Sequence, residues 1–225
     1  MTKNSFDKHA TSSYADGLVR QVPGYSTLLP MVSQLLAERT PTDARILVLG
    51  AGGGQEILAL ANAHSGWSFD GVDPSSKMLE LARETVEPHA SRVNLHEGYI
   101  SDVPQGPFDA ATSILIFHFI PLEQRLETLT QIRQRLNKGA PFILVHLSFP
   151  QTEPERSLWI ARHVTFGQSP NADPAKAETA RQAIADQLTI ISPEDEEKML
   201  QQAGFSNASL FYAGMSIKGW IAYAD

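Results

Sequence analysis

The chain contains no cysteine among its 225 residues. Disulfide bonds, a thiol nucleophile and a cysteine-based metal site are therefore excluded. Basic residues are also few, because 18 Lys and Arg stand against 25 Asp and Glu and give a net charge of −7. A surface that binds phosphate backbones needs the opposite sign, so we do not expect direct binding to nucleic acid.

Long apolar runs are missing as well. No stretch reaches the roughly eighteen apolar residues that a membrane-spanning helix needs, and residues 1–17 lack the apolar core of a signal peptide. Hydrophobic residues make up 42% and charged residues 19% of the chain, which is typical of a folded globular protein. We therefore expect a single cytoplasmic domain over residues 1–225, without a membrane partner.

The most informative pattern is ILVLGAGGGQE at residues 46–56. A short apolar strand ends in a glycine turn that includes Gly50 and Gly52, and a segment with helical spacing follows. The next apolar strand, 67–72, ends at Asp73. Glycine lets a backbone approach a ligand closely, a helix N-terminus suits a carboxylate or phosphate, and an acid about twenty residues later can bind ribose hydroxyls. This pattern predicts a site for a nucleoside ligand.

Several other sites are excluded by the motifs that the chain lacks. Gln55 stands where the dinucleotide fingerprint needs its third glycine, which argues against NAD or FAD. No GxxxxGK[ST] motif occurs, so a P-loop is excluded. Without HExxH and GxSxG motifs, neither a metal site nor serine-hydrolase chemistry is indicated.

Apolar periodicity predicts alternating strands and helices over the remaining chain. Predicted strands are 45–50, 67–72, 93–95, 108–116, 141–147, 208–212 and 216–223, the last two as an antiparallel hairpin. Predicted helices are 28–36 with Ser26 as its N-cap, 54–64, 75–87 capped by Ser75 or Ser76, 122–136, 175–188 and 192–203 capped by Ser192. Between 150 and 180, four prolines interrupt this alternation, and we interpret the segment as a helical cap.

These motifs resemble those of the class I S-adenosylmethionine-dependent methyltransferases over nearly the whole chain. ILVLGAGGG is similar to their first motif, GVDPSSKMLELARE to their second, FDAATSILIFHFI to their fourth and LNKGAPFILVHL to the motif of their fifth strand. The resemblance implies an α/β fold, namely a Rossmann-like, doubly wound, seven-stranded sheet whose last strand is antiparallel. A helical cap from about 1–40 and 150–190 would complete it. The implied cofactor is S-adenosyl-L-methionine, with S-adenosyl-L-homocysteine as product and no metal.

A narrower likeness involves VPGYS at 22–26, ETARQAIADQL at 178–188 and the segment from Ser192 to 205. These resemble the carboxy-S-adenosylmethionine synthase group, which supplies a carboxymethyl donor for modification of the tRNA wobble uridine. The likeness implies that Tyr25 contacts the donor and that Arg181 holds a carboxylate of the donor or substrate. It also implies a homodimer.

The chain departs from both family patterns at particular positions. Val48 stands where the first strand usually carries an acid, and Ile114 where the synthase group has a polar residue. The acid that usually receives adenine falls at Gly98 or Tyr99, so Tyr99 and Ile100 are predicted to line the adenine by backbone N–H and stacking. The methyltransferase pattern survives these departures, whereas the synthase pattern is incomplete.

The predicted donor-binding residues are Tyr25, Gly50, Ala51, Gly52, Asp73, Pro74, Met78, Tyr99, Ile100 and Ile114. Some have structural alternatives: Asp73 as a helix cap, Met78 and Tyr25 as packing residues. His118 follows the fourth strand and is predicted to be a general base for a hydroxyl or amine acceptor, with a packed wall residue as the alternative. Arg181 is predicted to bind a carboxylate bidentately, or else to be a solvated helix charge.

The leading hypothesis is methyl transfer to a small-molecule acceptor by direct displacement, with residues 1–30 and 150–185 closing over the donor. A carboxy-S-adenosylmethionine synthase is the first alternative. A non-catalytic module that binds the cofactor is the second, and a nicotinamide-dependent dehydrogenase is the most distant.

Overall fold

The computed structural model describes residues 14–168 and 173–225, and its centre is a seven-stranded sheet. The strands are β1 (Arg45–Leu49), β2 (Ser68–Asp73), β3 (Val93–Glu97), β4 (Ala110–Ile114), β5 (Pro141–Leu147), β6 (Phe205–Gly214) and β7 (Ile217–Ala224). Their order is β3-β2-β1-β4-β5-β7-β6, and β7 runs antiparallel to both β5 and β6, while β1 to β5 are parallel. The predicted fold class is confirmed.

Helices cover both faces of this sheet. They are α1 (Tyr14–Gln21), α2 (Tyr25–Ala37), α3 (Gln55–Ala63), α4 (Ser76–Thr85), α5 (Leu122–Gln134), α6 (Glu155–Gly167), α7 (Pro174–Gln187) and α8 (Pro193–Gln202). Alternate residues of each strand point to opposite faces. On the first face, Ile46 and Val48 of β1 join a core with α2, α3 and α6. On the second face, Leu47 and Leu49 join a core with α5 and α8.

The fourth strand is shorter than its apolar run predicts. Phe108 lies outside β4 and forms only an isolated bridge with Leu136. At the other end Leu115 adopts a φ of 63°, which turns the chain out of the sheet. The predicted strand 108–116 is therefore wrong at both ends, because apolar composition does not encode this turn.

Two of three predicted helix caps are present. Ser75 accepts from the N–H of Met78 and caps α4, and Ser192 accepts from the N–H of Asp195 and caps α8. The prediction for Ser26 is wrong, because α2 already begins one residue earlier, after Gly24 with a φ of 70°. A left-handed glycine thus starts this helix where the sequence suggested a serine cap.

The predicted cap segment 150–180 contains α6 and the start of α7, and these two helices pack against each other. Helix α1 packs against α6. Residues 1–13 and 169–172 of the predicted cap lie outside the described residues, and closure over a ligand stays a prediction. Among the helices that the structure describes, none has the length and apolar character needed to cross a membrane.

Candidate functional site

The loop that follows β1 is held against the end of β2 by main-chain hydrogen bonds. The N–H groups of Gly50 and Ala51 both donate to the carbonyl of Val72, at 2.8 and 3.0 Å, and Gly54 donates to Ala51 at 2.9 Å. Gly54 has a φ of 82° and precedes α3, so no side chain caps the first turn of that helix. The loop therefore presents the positive end of α3 at the carboxyl edge of the sheet, where an anionic group is favoured.

Gly50 makes room for a side chain as well as for a ligand. A Cβ atom at this position would lie 2.1 Å from Cγ1 of Ile116, and the φ of Gly50 is 82°. Ile116 reaches this place because Leu115 holds a positive φ, an uncommon conformation for a bulky residue. The sequence placed Ile116 inside a strand, so its position as a wall beside the loop was missed.

Asp73, the last residue of β2, connects the loop to the next helix. Its Oδ2 atom accepts from the N–H of Gly52 and its Oδ1 atom from the N–H of Ser75, both at 2.9 Å. Burial raises the pKa of the Asp73 carboxyl, and the two N–H groups oppose that rise. Its alternative as a helix cap is wrong, because Ser75 caps α4. Each oxygen of the Asp73 carboxylate can accept a second hydrogen bond, which leaves room for ribose hydroxyls. Binding of ribose by Asp73 stays a prediction.

Four other predicted donor-binding residues follow β2, lie in α4, end β4 or begin α2. Pro74 is half-buried directly after Asp73, and Met78 is buried in the first turn of α4. Ile114 ends β4 within the core of the first face, and Tyr25 packs against that core at the start of α2. Their places are compatible with packing and with ligand contact.

The turn after β3 lies beside Asp73, because the N–H of Gly98 donates to the main-chain oxygen of Asp73 at 3.1 Å. The N–H of Tyr99 donates to Oδ2 of Asp102 at 2.8 Å and is therefore already engaged. Its ring is 61% exposed, so stacking stays a prediction. The side chain of Ile100 is buried in the core of the second face.

His118 lies in a short 3-10 turn, 117–119, after β4 and is buried. The N–H of Leu147 approaches its Nδ1 atom at 3.5 Å, and its main-chain oxygen accepts from Thr189. The pKa of His118 is well below its usual value because of burial and the nearby residues His146, Arg125 and His163. The ring is therefore neutral. The contact with the N–H of Leu147 favours the tautomer with its hydrogen on Nε2, which would make Nε2 a donor, and the role of general base stays a prediction.

A buried ionic cluster lies on the second face and was missed in the sequence. Arg125 of α5, His146 of β5 and Glu196 of α8 are all 0% exposed. Oε2 of Glu196 lies 3.6 Å from Nη1 of Arg125 and 3.1 Å from Nε2 of His146. Arg125 also donates to the carbonyls of Ile120 and Thr189. Charged positions on helices usually face solvent, so sequence alone gave no reason to bury these two.

Arg181 of α7 pairs with Glu178 one turn earlier, with 3.1 Å between Nη1 and Oε2. Its side chain is 39% exposed, but its Nε atom is buried and lacks a hydrogen-bond partner within the described part of the chain. The alternative of a solvated helix charge therefore describes the part of the guanidinium group that pairs with Glu178, but it does not describe the buried Nε atom. Carboxylate binding by Arg181 stays a prediction.

Glu56 is a further site candidate that the sequence did not indicate. It lies in the first turn of α3, only 8% exposed, and burial raises its pKa to about 7 against the opposing effect of the Thr112 hydroxyl. Its Oε1 atom has no hydrogen-bond partner among the described residues. Within 14–168 and 173–225, no three His, Asp or Glu side chains are arranged to hold a metal ion.

The sheet order, the antiparallel seventh strand and the glycine loop beside Asp73 are typical of α/β proteins that bind a nucleoside at the carboxyl edge of the sheet. Residues 46–139 match the family described as "Methyltransferase domain". This match and the shared fold confirm the resemblance to the class I S-adenosylmethionine-dependent methyltransferases, a class of enzymes that uses S-adenosyl-L-methionine and releases S-adenosyl-L-homocysteine.

Individual relatives resemble the chain over most of its length. The carboxy-S-adenosyl-L-methionine synthase of Campylobacter lari is 24% identical over 218 residues, which are 97% of this chain and 93% of that protein. The synthase of Actinobacillus pleuropneumoniae serotype 5b is 27% identical over 97% of this chain and 92% of its own. An O-methyltransferase family protein from Burkholderia thailandensis has the same fold, with a TM-score of 0.72 and 14% identity. That match covers 99% of this chain, which spans 62% of the solved chain.

The residues present fit this cofactor in chemical type. The first turn of α3 suits its carboxylate, and Asp73 retains acceptor positions for its ribose. The unpartnered Oε1 of Glu56 adds a buried acceptor near the loop.

Proposed function

We propose that this protein transfers the methyl group of S-adenosyl-L-methionine to a small-molecule acceptor. The observation that carries the proposal is the carboxylate of Asp73, which fixes the glycine loop through Gly52 and the start of α4 through Ser75. One buried acid thereby holds together the two turns that would surround a nucleoside. The same acid keeps acceptor positions for the sugar.

The bound cofactor supplies a methyl group on a positively charged sulfur, which is already activated for displacement. The chain has to orient the acceptor and exclude water, and such alignment can contribute roughly 7–11 kcal/mol in favourable systems. Ile116 supplies an apolar wall after β4, next to the loop, and the positive φ of Leu115 turns the chain there. His118 then acts as a hydrogen-bond donor that positions the acceptor.

A small acceptor is favoured by the charge of −7, which disfavours a polyanionic partner. Tyr25 would lie near the sulfonium, where an aromatic face attracts a cation. Helices α6 and α7, together with the first thirty residues, would close over the acceptor and set its identity.

A second candidate is a carboxy-S-adenosylmethionine synthase. Two observations favour it: the named synthases align over 92–93% of their own length, and the buried Nε atom of Arg181 has no partner within the described ranges. A carboxylate added to the donor would be the expected ligand of that guanidinium.

Titration calorimetry and mass spectrometry test these proposals together. We expect heat of binding with S-adenosyl-L-methionine and S-adenosyl-L-homocysteine, and none with NADH. Mass spectrometry of the ligand that co-purifies should give the ordinary cofactor or its product, whereas an additional carboxylate would favour the synthase. Absence of heat with both S-adenosyl-L-methionine and S-adenosyl-L-homocysteine would overturn the proposed function, and binding without turnover of a broad acceptor panel would favour a cofactor-binding module.

A further inference from the structure

The carboxyl group of Glu56 is buried without a charged partner among the described residues. Its side chain is 8% exposed and its pKa is raised to about 7. The Thr112 hydroxyl favours the charged form, yet neither Oε1 of Glu56 nor Oγ1 of Thr112 has a hydrogen-bond partner in the part of the chain that the structure describes. Two polar groups thus lie near each other with unused hydrogen-bonding capacity.

Strand register locates this carboxyl group relative to the glycine loop. Thr112 of β4 pairs with Val48 of β1, two residues before Gly50. Thr112 shares its side of β4 with Ala110 and Ile114, whose side chains belong to the first face. The carboxyl group of Glu56 therefore lies on the first face, behind the loop and level with Val48. Val48 is the position where related first strands usually carry an acid.

Burying a carboxyl group without a partner costs free energy, because water no longer solvates it. Unpaired buried polar groups are rare in folded proteins for this reason. Glu56 also follows directly on a loop that leaves the first turn of α3 without a side-chain cap. A ligand that reaches this loop with a positively charged donor group would relieve the cost.

We propose that Glu56 accepts a hydrogen bond from the ammonium group of the amino-acid part of the bound nucleoside. This inference rests on the proposed function, since it names the group that receives one end of that cofactor. The amino-acid part carries a carboxylate and an ammonium group. The first turn of α3 suits the carboxylate, and the acid of that same turn suits the ammonium.

If Glu56 binds the ammonium group, the protein should prefer ligands that carry this group. A nucleoside with an ammonium group stabilises the ionised form of Glu56, so binding near pH 7 releases a proton to the solvent. Burial and Thr112 account for the shifted pKa of Glu56, and no charged side chain of the described residues contributes to that shift. Proton release on binding therefore reports on this carboxyl.

The test compares S-adenosyl-L-homocysteine with its analogue that lacks the α-amino group, by titration calorimetry on the full chain. The wild-type protein should bind the amine-bearing ligand about ten- to a hundredfold more tightly, as expected for a hydrogen bond between charged groups. Glu56→Gln should lose that preference while binding the deaminated analogue as the wild type does. Asp70→Asn is the matched control, since Asp70 is also a buried acid but pairs with Arg45 and His96 at 2.8 Å.

Repeating the wild-type titration at pH 7 in buffers of different ionisation enthalpy measures the released proton and does not depend on any variant. Release with the amine-bearing ligand only, and greater release in Thr112→Val, would support the proposal. An unchanged preference in Glu56→Gln, or no proton release in the wild type, would overturn it while the proposed function stands. If the wild type bound neither ligand, the proposed function would fail first.

Discussion

The two faces of the sheet bury charge in different ways. On the second face, Arg125 and Glu196 bring opposite charges to within 3.6 Å, and His146 lies beside them. On the first face, Glu56 is buried with only a hydroxyl nearby. In the cluster on the second face, the positive charge of Arg125 compensates the negative charge of Glu196, although the oxygens of Glu196 lack hydrogen-bond partners among the described residues. The first face has an imbalance that a ligand can correct.

The difference separates a structural role from a binding role. The cluster joins α5 and α8, and Arg125 also holds the carbonyl of Thr189 in the segment between α7 and α8. Its opposite charges both come from the chain itself. Among the described residues Glu56 joins no other element through a charge pair, so its burial is explained by a group that arrives with a ligand. Four sets of variants can break or sharpen this comparison.

The largest expected effect is on the second face. Glu196→Gln should lower the free energy of unfolding by about 3–5 kcal/mol, because it leaves Arg125 charged and buried. Urea denaturation measures the loss. Glu194→Gln on the exposed side of α8 is the control and should stay within about 0.5 kcal/mol. Equal effects of the two substitutions would show that the cluster is not structural, and Arg125→Met with Glu196→Leu should recover much of the loss.

The next effect concerns the pH dependence of stability on the first face. The pKa of Glu56 is about 7 in the folded state against 4.5 for the unfolded group, so the folded protein binds more protons between these values. Its contribution to stability is therefore lost as pH rises from about 4.5 to 7, by about 3 kcal/mol. Glu56→Gln should be clearly more stabilising, relative to wild type, at pH 8 than at pH 5. An equal difference in unfolding free energy between Glu56→Gln and wild type at both pH values would contradict the buried environment assigned to Glu56.

A substitution of Asp73 tests the predicted ligand site at the carboxyl edge of the sheet. Asp73→Asn retains one acceptor oxygen for two buried N–H groups, so we expect a loss of about 1–3 kcal/mol in unfolding free energy. Affinity for S-adenosyl-L-homocysteine should fall at least about tenfold by the same principle. In Asp70→Asn, by contrast, stability should fall with little change in affinity. Retention of full affinity in Asp73→Asn would remove the ribose-binding assignment.

The smallest effect separates backbone strain from crowding at the loop. Gly50 and Gly139 have φ values of 82° and 80°, but only Gly50 would place a Cβ against Ile116, since Gly139 faces open space. Both alanine variants should lose about 1–2 kcal/mol from the left-handed backbone. Gly50→Ala should lose about 1 kcal/mol more, measured as the difference between melting curves, and Ile116→Ala should remove that excess. An equal loss in both would mean that Ile116 moves aside.

Sequence reasoning worked where the signal was local. The strand, glycine turn and helix around Gly50, the acid at Asp73 and the cap at Ser75 all follow from periodicity and turn chemistry over a few residues. It was wrong at two positions where the main chain adopts an arrangement that residue type does not predict. The sequence predicts a free N–H at Tyr99, but Asp102 accepts a hydrogen bond from it, and α2 begins after a left-handed Gly24 rather than at a Ser26 cap.

The sequence by itself determined the alternation of elements and the resemblance to a methyltransferase family, and it predicted a nucleoside site at the carboxyl edge of the sheet. Only the tertiary structure decided that Glu56 turns inward beside Thr112, that Arg125 and Glu196 meet in the interior, and that Ile116 covers Gly50. The physical reason is that helical periodicity tells which residues share a face of a helix. Whether a charge on that face is buried depends on the strands and helices packed against it, which come from distant parts of the chain.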